Sequence, residues 1–295
     1  MVKNMEKRIL AIGVATKDYI ITPDDEYSQI GGAVFYQTTT LNQLNANAES
    51  IISIGHEDVK MLDGIECNKI ITRETMEYTN IYDKNFHRTQ QATLPQNPIN
   101  PEDITVNLEK ISSVLLSPLS PYDIPPETIA YFKENGIRTV LTPQGYLRTT
   151  DKQNNVTERE WKNIEAYLEN TDIISLDENE AKKAFNLKEL ENNKIKQILH
   201  EYNLEQIIIT KADKGSAIHT ENETYEIPSI KTDNPVDATG LGDTYIAAYI
   251  YKLEECEDIY LSGMFASITA KEKLEQHDPL KTDKEKIEKE LDKYR

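Results

Sequence analysis

Two rhythms of apolar and polar residues take turns along this chain, one with the period of a strand and one with that of a helix. Ile9 to Val14 reads as a buried strand, and period-two alternation carries on past Asp18 through Tyr19 to Ile21. Gly31-Gly32 opens a helical stretch to about Asn47, and a second buried strand follows at Ser50–Ile54. Residues 67–94 break the rhythm: they are rich in Thr, Ile and Tyr with alternating character, which predicts antiparallel strands lying outside a main sheet. From Asn100 the alternation resumes, with Asn100-Pro101-Glu102 predicting a helix start. Strands are expected at Ser113–Ser117, Arg138–Thr142, Ile173–Leu176 and Gln206–Thr210, with helices near 126–135, 158–169 and 178–202, the last broken around Asn186. Thr157-Glu158-Arg159-Glu160 has the spacing of a capping box for the second of these helices. Residues 215–227 read as a hairpin, and the rest from Gly240 as mostly helical, ending in a charged helix over Thr282–Tyr294. The pattern implies one α/β unit over 1–295, a parallel sheet between helices, with small β excursions at about 15–30 and 67–94.

Composition narrows the partners. Of the 295 residues, 51 are acidic against 33 Lys plus Arg, a net charge of −18. Such a surface repels phosphate backbones and anionic lipid, which argues against nucleic-acid and membrane partners, although a few local donors suffice to hold a phosphorylated ligand. Cys67 and Cys256 stand far apart with no metal-type spacing. The apolar run near the N-terminus is too short for a signal peptide, and no segment approaches a membrane span, so the expected location is cytoplasmic.

The segment that most changes the picture is Asp237-Ala238-Thr239-Gly240-Leu241-Gly242-Asp243-Thr244, running into the apolar helix Tyr245–Leu253. Its glycines let backbone N–H groups face a ligand closely, and the helix that starts there adds its positive end, making an anion hole. Asp243 falls in the first helical turn, where a carboxylate can face whatever that hole contains. Phosphoryl transfer needs this pairing of donors for the transferred group and a base for the attacking hydroxyl. Read alone, the same residues also describe a tight loop and a helix cap.

The segment resembles the D-[TS]-T-G-A-G-D-x signature of the ribokinase (PfkB-type) sugar kinases, with Ala238 and Leu241 as departures. Further landmarks follow in the family's order. Gly13 to Asp18 resembles its N-terminal G-x-x-x-x-D, whose aspartate holds substrate hydroxyls. Gly31-Gly32 resembles the G-G that approaches the substrate, and Ile54-Gly55-His56-Glu57-Asp58 its V-G-x-D segment. Ile207–Thr210 with Lys214-Gly215 resembles the nucleotide-side T-x-G-x-x-G, with Ala212 in place of the first glycine. Asp177-Glu178-Asn179-Glu180 resembles its N-x-x-E, with Asp177 for asparagine, and reads equally as a capping box. Tyr36 stands where the family's G-G-x-x-x-N ends in asparagine. Residues 31–36 and Leu141 to Arg148 further resemble a subgroup that includes archaeal-type myo-inositol kinases.

The resemblance implies a ribokinase-like three-layer α/β/α sandwich with a mainly parallel central sheet and a small β-strand lid. It implies an ATP-dependent kinase for a hydroxyl of a small sugar or polyol, inositol-like in the subgroup. Asp243 would be the base beside Gly240, Leu241 and Gly242. Asp18, Gly31, Gly32, Gln144 and Arg148 would face the acceptor. Asp177, Thr210, Gly215, Thr239 and Ser267 would lie along ATP, and Glu180 would position Mg2+, largely through water. A nucleoside kinase of the same fold and a non-catalytic ligand-binding relative are the competing readings. Within 67–94, Ile70, Ile71, Met76, Tyr78, Ile81 and Tyr82 are too apolar for a small sheet wholly in water. One face is therefore expected to cover the acceptor, and an exposed edge to pair with a second subunit as a homodimer. His87-Arg88-x-Gln90 in the same segment also reads as a solvated strand face.

Overall fold

A computed structural model describes residues 7–84 and 88–295, and in it the described residues form a nine-stranded sheet, a four-stranded sheet and one separate two-stranded pair. The nine-stranded sheet is the main one. In chain order its first members are β1 (Arg8–Val14), β4 (Ala48–Gly55), β5 (Asn68–Thr72), β8 (Ile111–Ser117) and β9 (Arg138–Leu141), and after them come β12 (Ile173–Asp177), β13 (Gln206–Thr210), β14 (Ser216–His219) and β15 (Thr224–Ile227). In space they run β15-β14-β13-β12-β9-β8-β1-β4-β5. All neighbours from β13 to β5 pair parallel, and only the terminal hairpin is antiparallel. Parallel sheets need cover on both faces, which is why β1 is buried along nearly its whole length.

Helices supply that cover in two layers. Helices α1 (Ala33–Gln43), α6 (Leu241–Cys256), α7 (Ile259–Leu274) and α8 (Lys284–Leu291) pack around Ile9, Ala11 and Ile208 on one face. Helices α2 (Pro126–Glu134), α3 (Ile164–Leu168), α4 (Glu178–Ala184) and α5 (Asn192–Glu201) pack around Leu10, Ile12 and Ile207 on the other. Successive residues of a strand thus feed opposite cores, as pleating dictates.

The smaller sheet has the order β3-β2-β6-β7, from β2 (Thr16–Ile21), β3 (Glu26–Gly31), β6 (Met76–Tyr82) and β7 (Arg88–Thr93). Its inner face carries Asp18, Ile20, Tyr78 and Asn80, all buried. Asp58 braces it to the main sheet: Lys17 of β2 donates to Asp58 Oδ1 at 3.1 Å, and Thr75, just before β6, donates to Asp58 Oδ2 at 2.7 Å. The Lys17 charge and these hydrogen bonds hold the Asp58 carboxyl below its usual range against the opposing effect of burial.

Three expectations are corrected. Residues 68–72 do not belong to the smaller sheet; β5 lies parallel beside β4 at the edge of the main one, so the excursion begins only at Met76. Thr157-Glu158-Arg159-Glu160 is no capping box, because Thr157 and Glu158 lie in β11 (Val156–Glu158), which pairs with β10 (Arg148–Thr150). Cross-strand pairing outcompetes the local cap, and α3 starts only at Ile164. Asn100 does form its box with Asp103, but it opens a single 3-10 turn, Pro101–Asp103. His87 lies outside the described residues. No helix among the described residues is long and apolar enough to cross a membrane.

Candidate active site

The C-terminal ends of the parallel strands, where open α/β sheets bind ligands, face the smaller sheet across a cleft of about 1010 Å³. Pro118 follows β8, Thr142 and Gln144 follow β9, Asp177 ends β12 and Thr210 ends β13; all line it.

The start of α6 forms its floor. Gly240 has φ 73 and ψ 10, a left-handed turn, and a Cβ there would run into the Tyr36 ring. The turn lets the loop stop against α1 and the helix begin at once. No side chain caps this helix; the Leu241 N–H donates to the Ala238 carbonyl at 3.3 Å, which leaves the N–H groups of Gly242 and Asp243 for a ligand in the cleft, and Gly242 faces open space. Asp243 sits in the first turn with one edge accessible from the cleft and protein around the rest. Burial pushes its carboxyl up to about 7; the Glu180 charge adds to the rise and the Arg148 guanidinium opposes it.

Asp177 and Glu180 form the capping box of α4. Asp177 Oδ1 accepts from the N–H groups of Asn179 and Glu180 at 2.7 and 2.8 Å, and Glu180 Oε2 accepts from Asp177 N at 3.0 Å. The other Glu180 oxygen accepts from Gln144 Nε2 at 3.1 Å. Burial first, then Asp177, raises the Glu180 pKa. Gln144 thus lies against Glu180, toward the Asp243 side of the cleft.

Toward the smaller sheet the wall is polar. Asp18 Oδ1 accepts from Thr16 Oγ1 at 2.7 Å, and Gly31, paired across the strands two residues away, leaves the room that the Asp18 carboxylate fills. Asn80 accepts from Gln90 Nε2 at 2.9 Å, and both line the cleft. Tyr78 donates to the Leu119 carbonyl at 3.3 Å, with the Arg148 guanidinium beside its phenol. Toward α7 the lining is mixed: apolar Ile230, Pro235, Ala238, Ala270 and Leu274 alternate with Lys231, Thr232, Asp233 and Lys271. Ser267 lies there too, but its hydroxyl is used on the Pro228 carbonyl at 2.8 Å.

Every residue given a catalytic, acceptor, nucleotide or metal role from the sequence lines this one cleft except Gly31, which backs Asp18. Thr210 donates weakly to the Leu176 carbonyl at 3.4 Å, Gly215 closes the loop after β13, and Thr239 N donates to Asp237 Oδ1 at 2.9 Å. Tyr78, expected among the residues covering the acceptor, does line the cleft; sequence reasoning missed Asn80 there and read Gln90 as a solvated strand face. Their strand period was visible, but which face turned inward was not. Ala212, the departure from T-x-G-x-x-G, keeps φ 50, a left-handed conformation that suits glycine and strains alanine. Among the described residues no cluster of three His, Cys, Asp or Glu side chains fits a metal.

The pfkB family carbohydrate kinase profile matches residues 135–285. A nucleoside kinase of Methanocaldococcus jannaschii is 32% identical over 103 residues, 35% of this chain and 32% of that protein. A ribokinase of Staphylococcus aureus is 26% identical over 170 residues, 56% of this chain and 49% of that one. The chain therefore matches at most about half the length of these curated relatives. Solved structures are similar over nearly all of it. A pyrophosphate-dependent kinase in the ribokinase family, complexed with a pyrophosphate analogue and myo-inositol, has TM-score 0.79 at 22% identity, covering 95% of this chain and 99% of its own. Arabidopsis thaliana ribokinase, complexed with ribose and ATP, has TM-score 0.77 at 17% identity, covering 97% and 99%. Both establish the ribokinase-like fold.

Two stability outcomes follow from this geometry. Ala212→Gly relieves the left-handed alanine and is expected to stabilise the fold by about 0.5–1 kcal/mol, the strain less the entropy glycine adds to the unfolded chain. A denaturant titration showing a lower midpoint would contradict it. Asp243→Asn removes a carboxyl whose folded pKa is raised, so its ionisation costs stability progressively as pH climbs from 3.8 to about 7. The variant should melt higher than the parent at pH 8 by at least about 2 °C, the shift given by roughly 1 kcal/mol in a chain this size. The gain should shrink toward pH 4; equal gains at both pH values would refute the assignment.

Proposed function

The chain belongs to the pfkB family of carbohydrate kinases, and we propose that it transfers the terminal phosphoryl group of ATP to a hydroxyl of a small, uncharged polyol or sugar, inositol-like in shape. The observation that carries this reading is the position of Asp243. It lies at the uncapped start of α6, in the same cleft that Asp18, Asn80 and Gln90 of the smaller sheet line and that Ala270 and Leu274 of α7 line.

In this reading the acceptor lies against Asp18, Asn80 and Gln90. Asp18 accepts hydrogen bonds from its hydroxyls, and the amide pair offers both a donor and an acceptor. The reactive hydroxyl points at Asp243, which takes its proton as the oxygen attacks the γ-phosphorus and the bond from that phosphorus to the bridging oxygen breaks, releasing ADP. A carboxyl near 7 suits this step, since it is basic enough to accept the proton and about half ionised at neutral pH. The N–H groups of Gly242 and Asp243 bind the oxygens of the transferred group, and Arg148 adds a fixed positive charge near them. The smaller sheet forms a roof over the acceptor and keeps water from competing with it.

The donor side favours a nucleotide. Ile230, Pro235, Ala238, Ala270 and Leu274 give the cleft apolar surface, beside Lys231 and Lys271, that suits a nucleobase and that pyrophosphate alone would leave in water. Thr210, Gly215 and Thr239 line the same cleft and would run along the phosphate chain. Magnesium would be held here largely through its own water, since the Glu180 oxygens are engaged with Gln144 and the Asp177 N–H and no three carboxylates gather among the described residues. Glu180 and Asp177 would hold those waters, and the ion would neutralise charge on the transferred group. A nucleoside acceptor is the second reading, favoured by the Tyr36 and Tyr82 rings on the same wall and by the similarity to a nucleoside kinase. Parallel assays with myo-inositol, ribose and inosine, each with Mg-ATP and with pyrophosphate, separate these readings. No turnover with any pair would sink the proposal.

Asp243→Asn is expected to lower kcat by roughly 10²–10⁴ while ATP affinity holds, because asparagine keeps the shape but cannot accept a proton. In the parent enzyme kcat/KM should rise with pH and level off above about 7, the range of the free carboxyl. A flat profile between pH 5 and 9 would rule out Asp243 as the base. Asp18→Ala should raise the acceptor KM at least about tenfold, each hydroxyl-to-carboxylate bond being worth about 1.5–3 kcal/mol, and leave the ATP KM near its starting value. If the ATP KM moved instead, Asp18 would be on the donor side.

A further inference from the structure

The last turn of α7 buries a charge that the chemistry above leaves unused. Lys273 is 0% exposed, although it stands in a Lys-Glu-Lys run that reads as solvated. Its ammonium donates to Asp237 Oδ2 at 3.0 Å, to the Asp237 carbonyl at 3.2 Å and to the Gln276 carbonyl at 3.5 Å. Three acceptors, one of them ionised, thus meet its three N–H bonds. The Tyr36 ring lies 5.8 Å from the same nitrogen.

Both neighbours lead to the anion-binding turn. The second Asp237 oxygen holds Thr239 N at 2.9 Å, which fixes the backbone just before Gly240. The Tyr36 ring is the surface on which Gly240 itself rests. Backbone bonds tie the segment to α7 as well, since the N–H groups of Val236 and Asp237 donate to the Leu274 carbonyl at 2.8 and 3.2 Å. A buried ion pair is a poor source of stability compared with apolar packing of the same volume. What this one supplies is direction, because its ammonium grips a carboxylate whose other oxygen shapes the turn.

We propose that Lys273 is the positioning residue of the anion-binding turn, a resident cation that holds residues 237–240 so that the Gly242 and Asp243 N–H groups face the transferred phosphoryl group. It acts through Asp237 and Tyr36 and touches neither substrate. The inference rests on the kinase reading for the identity of the anion, and on the geometry alone for the grip.

The test uses the full chain with three substitutions and the β,γ-imido analogue of ATP as probe. Lys273→Met removes the charge and keeps the bulk. It should melt cooperatively, bind the analogue about tenfold more weakly, and lose roughly 10²-fold in kcat, the order of a lost oxyanion donor, with the acceptor KM little changed. Lys273→Ala leaves space, and methylammonium should restore part of both losses there while having no effect on the parent. If Lys273→Met does not fold, Lys273→Met with Asp237→Asn removes both charges and should show the same weak binding. Analogue affinity within about threefold of the parent in the folded Met or double variant would overturn the proposal. So would a folded Lys273→Ala protein indifferent to methylammonium. A parent whose analogue affinity depends on Lys273 yet which phosphorylates no hydroxyl acceptor would defeat the kinase reading and leave the positioning role standing.

Discussion

The cleft depends on a contact with no side chain on one side of it: the bare Cα of Gly240 lying on the Tyr36 ring. Because Gly240 can turn left-handed there, the loop from Asp237 ends within van der Waals reach of α1, and α6 starts without a capping side chain. The same turn places Asp243 in the first helical turn, where burial holds its carboxyl near 7. An ionised carboxylate in that place destabilises the fold, which is the common relation between active sites and stability.

A protein with net charge −18 appears ill suited to bind a polyphosphate, and the resolution is local. Around the turn the field comes from backbone N–H groups and the start of a helix, neither of which appears in a residue count. Arg148, Lys231 and Lys271 line the same cleft and offset its carboxylates. Lys271 is itself held by Glu272 at 2.9 Å, so its charge is oriented but partly spent. The acidic excess is left to the outer surface, where it serves solubility.

The fold was legible to the extent that periodicity was strong. Buried parallel strands such as Gln206–Thr210 show as unbroken apolar runs, and the structure reproduces that strand to the residue. The break at 67–94 was visible, yet its first strand went to the other sheet. Alternation states that a strand has two unlike faces but not which neighbour it pairs with. Thr157-Glu158-Arg159-Glu160 failed for a related reason, since a local capping signal is worth about 1 kcal/mol and a cross-strand partner of comparable worth was available.

The candidate site divides in the same way. Local sequence alone determined the glycine turn, the carboxylate in the first turn after it, and the Asp177–Glu180 box, because each depends on backbone conformation and spacing within a few residues. Tertiary structure alone decided that Asp18 and Asp243 share one cleft, that Asn80 and Gln90 face inward, that Gln144 rests on Glu180, and that Lys273 leaves its charged run to grip Asp237. Those pairings join residues from separate elements, and the energies that select them belong to packing between layers, which spacing along a single chain does not encode.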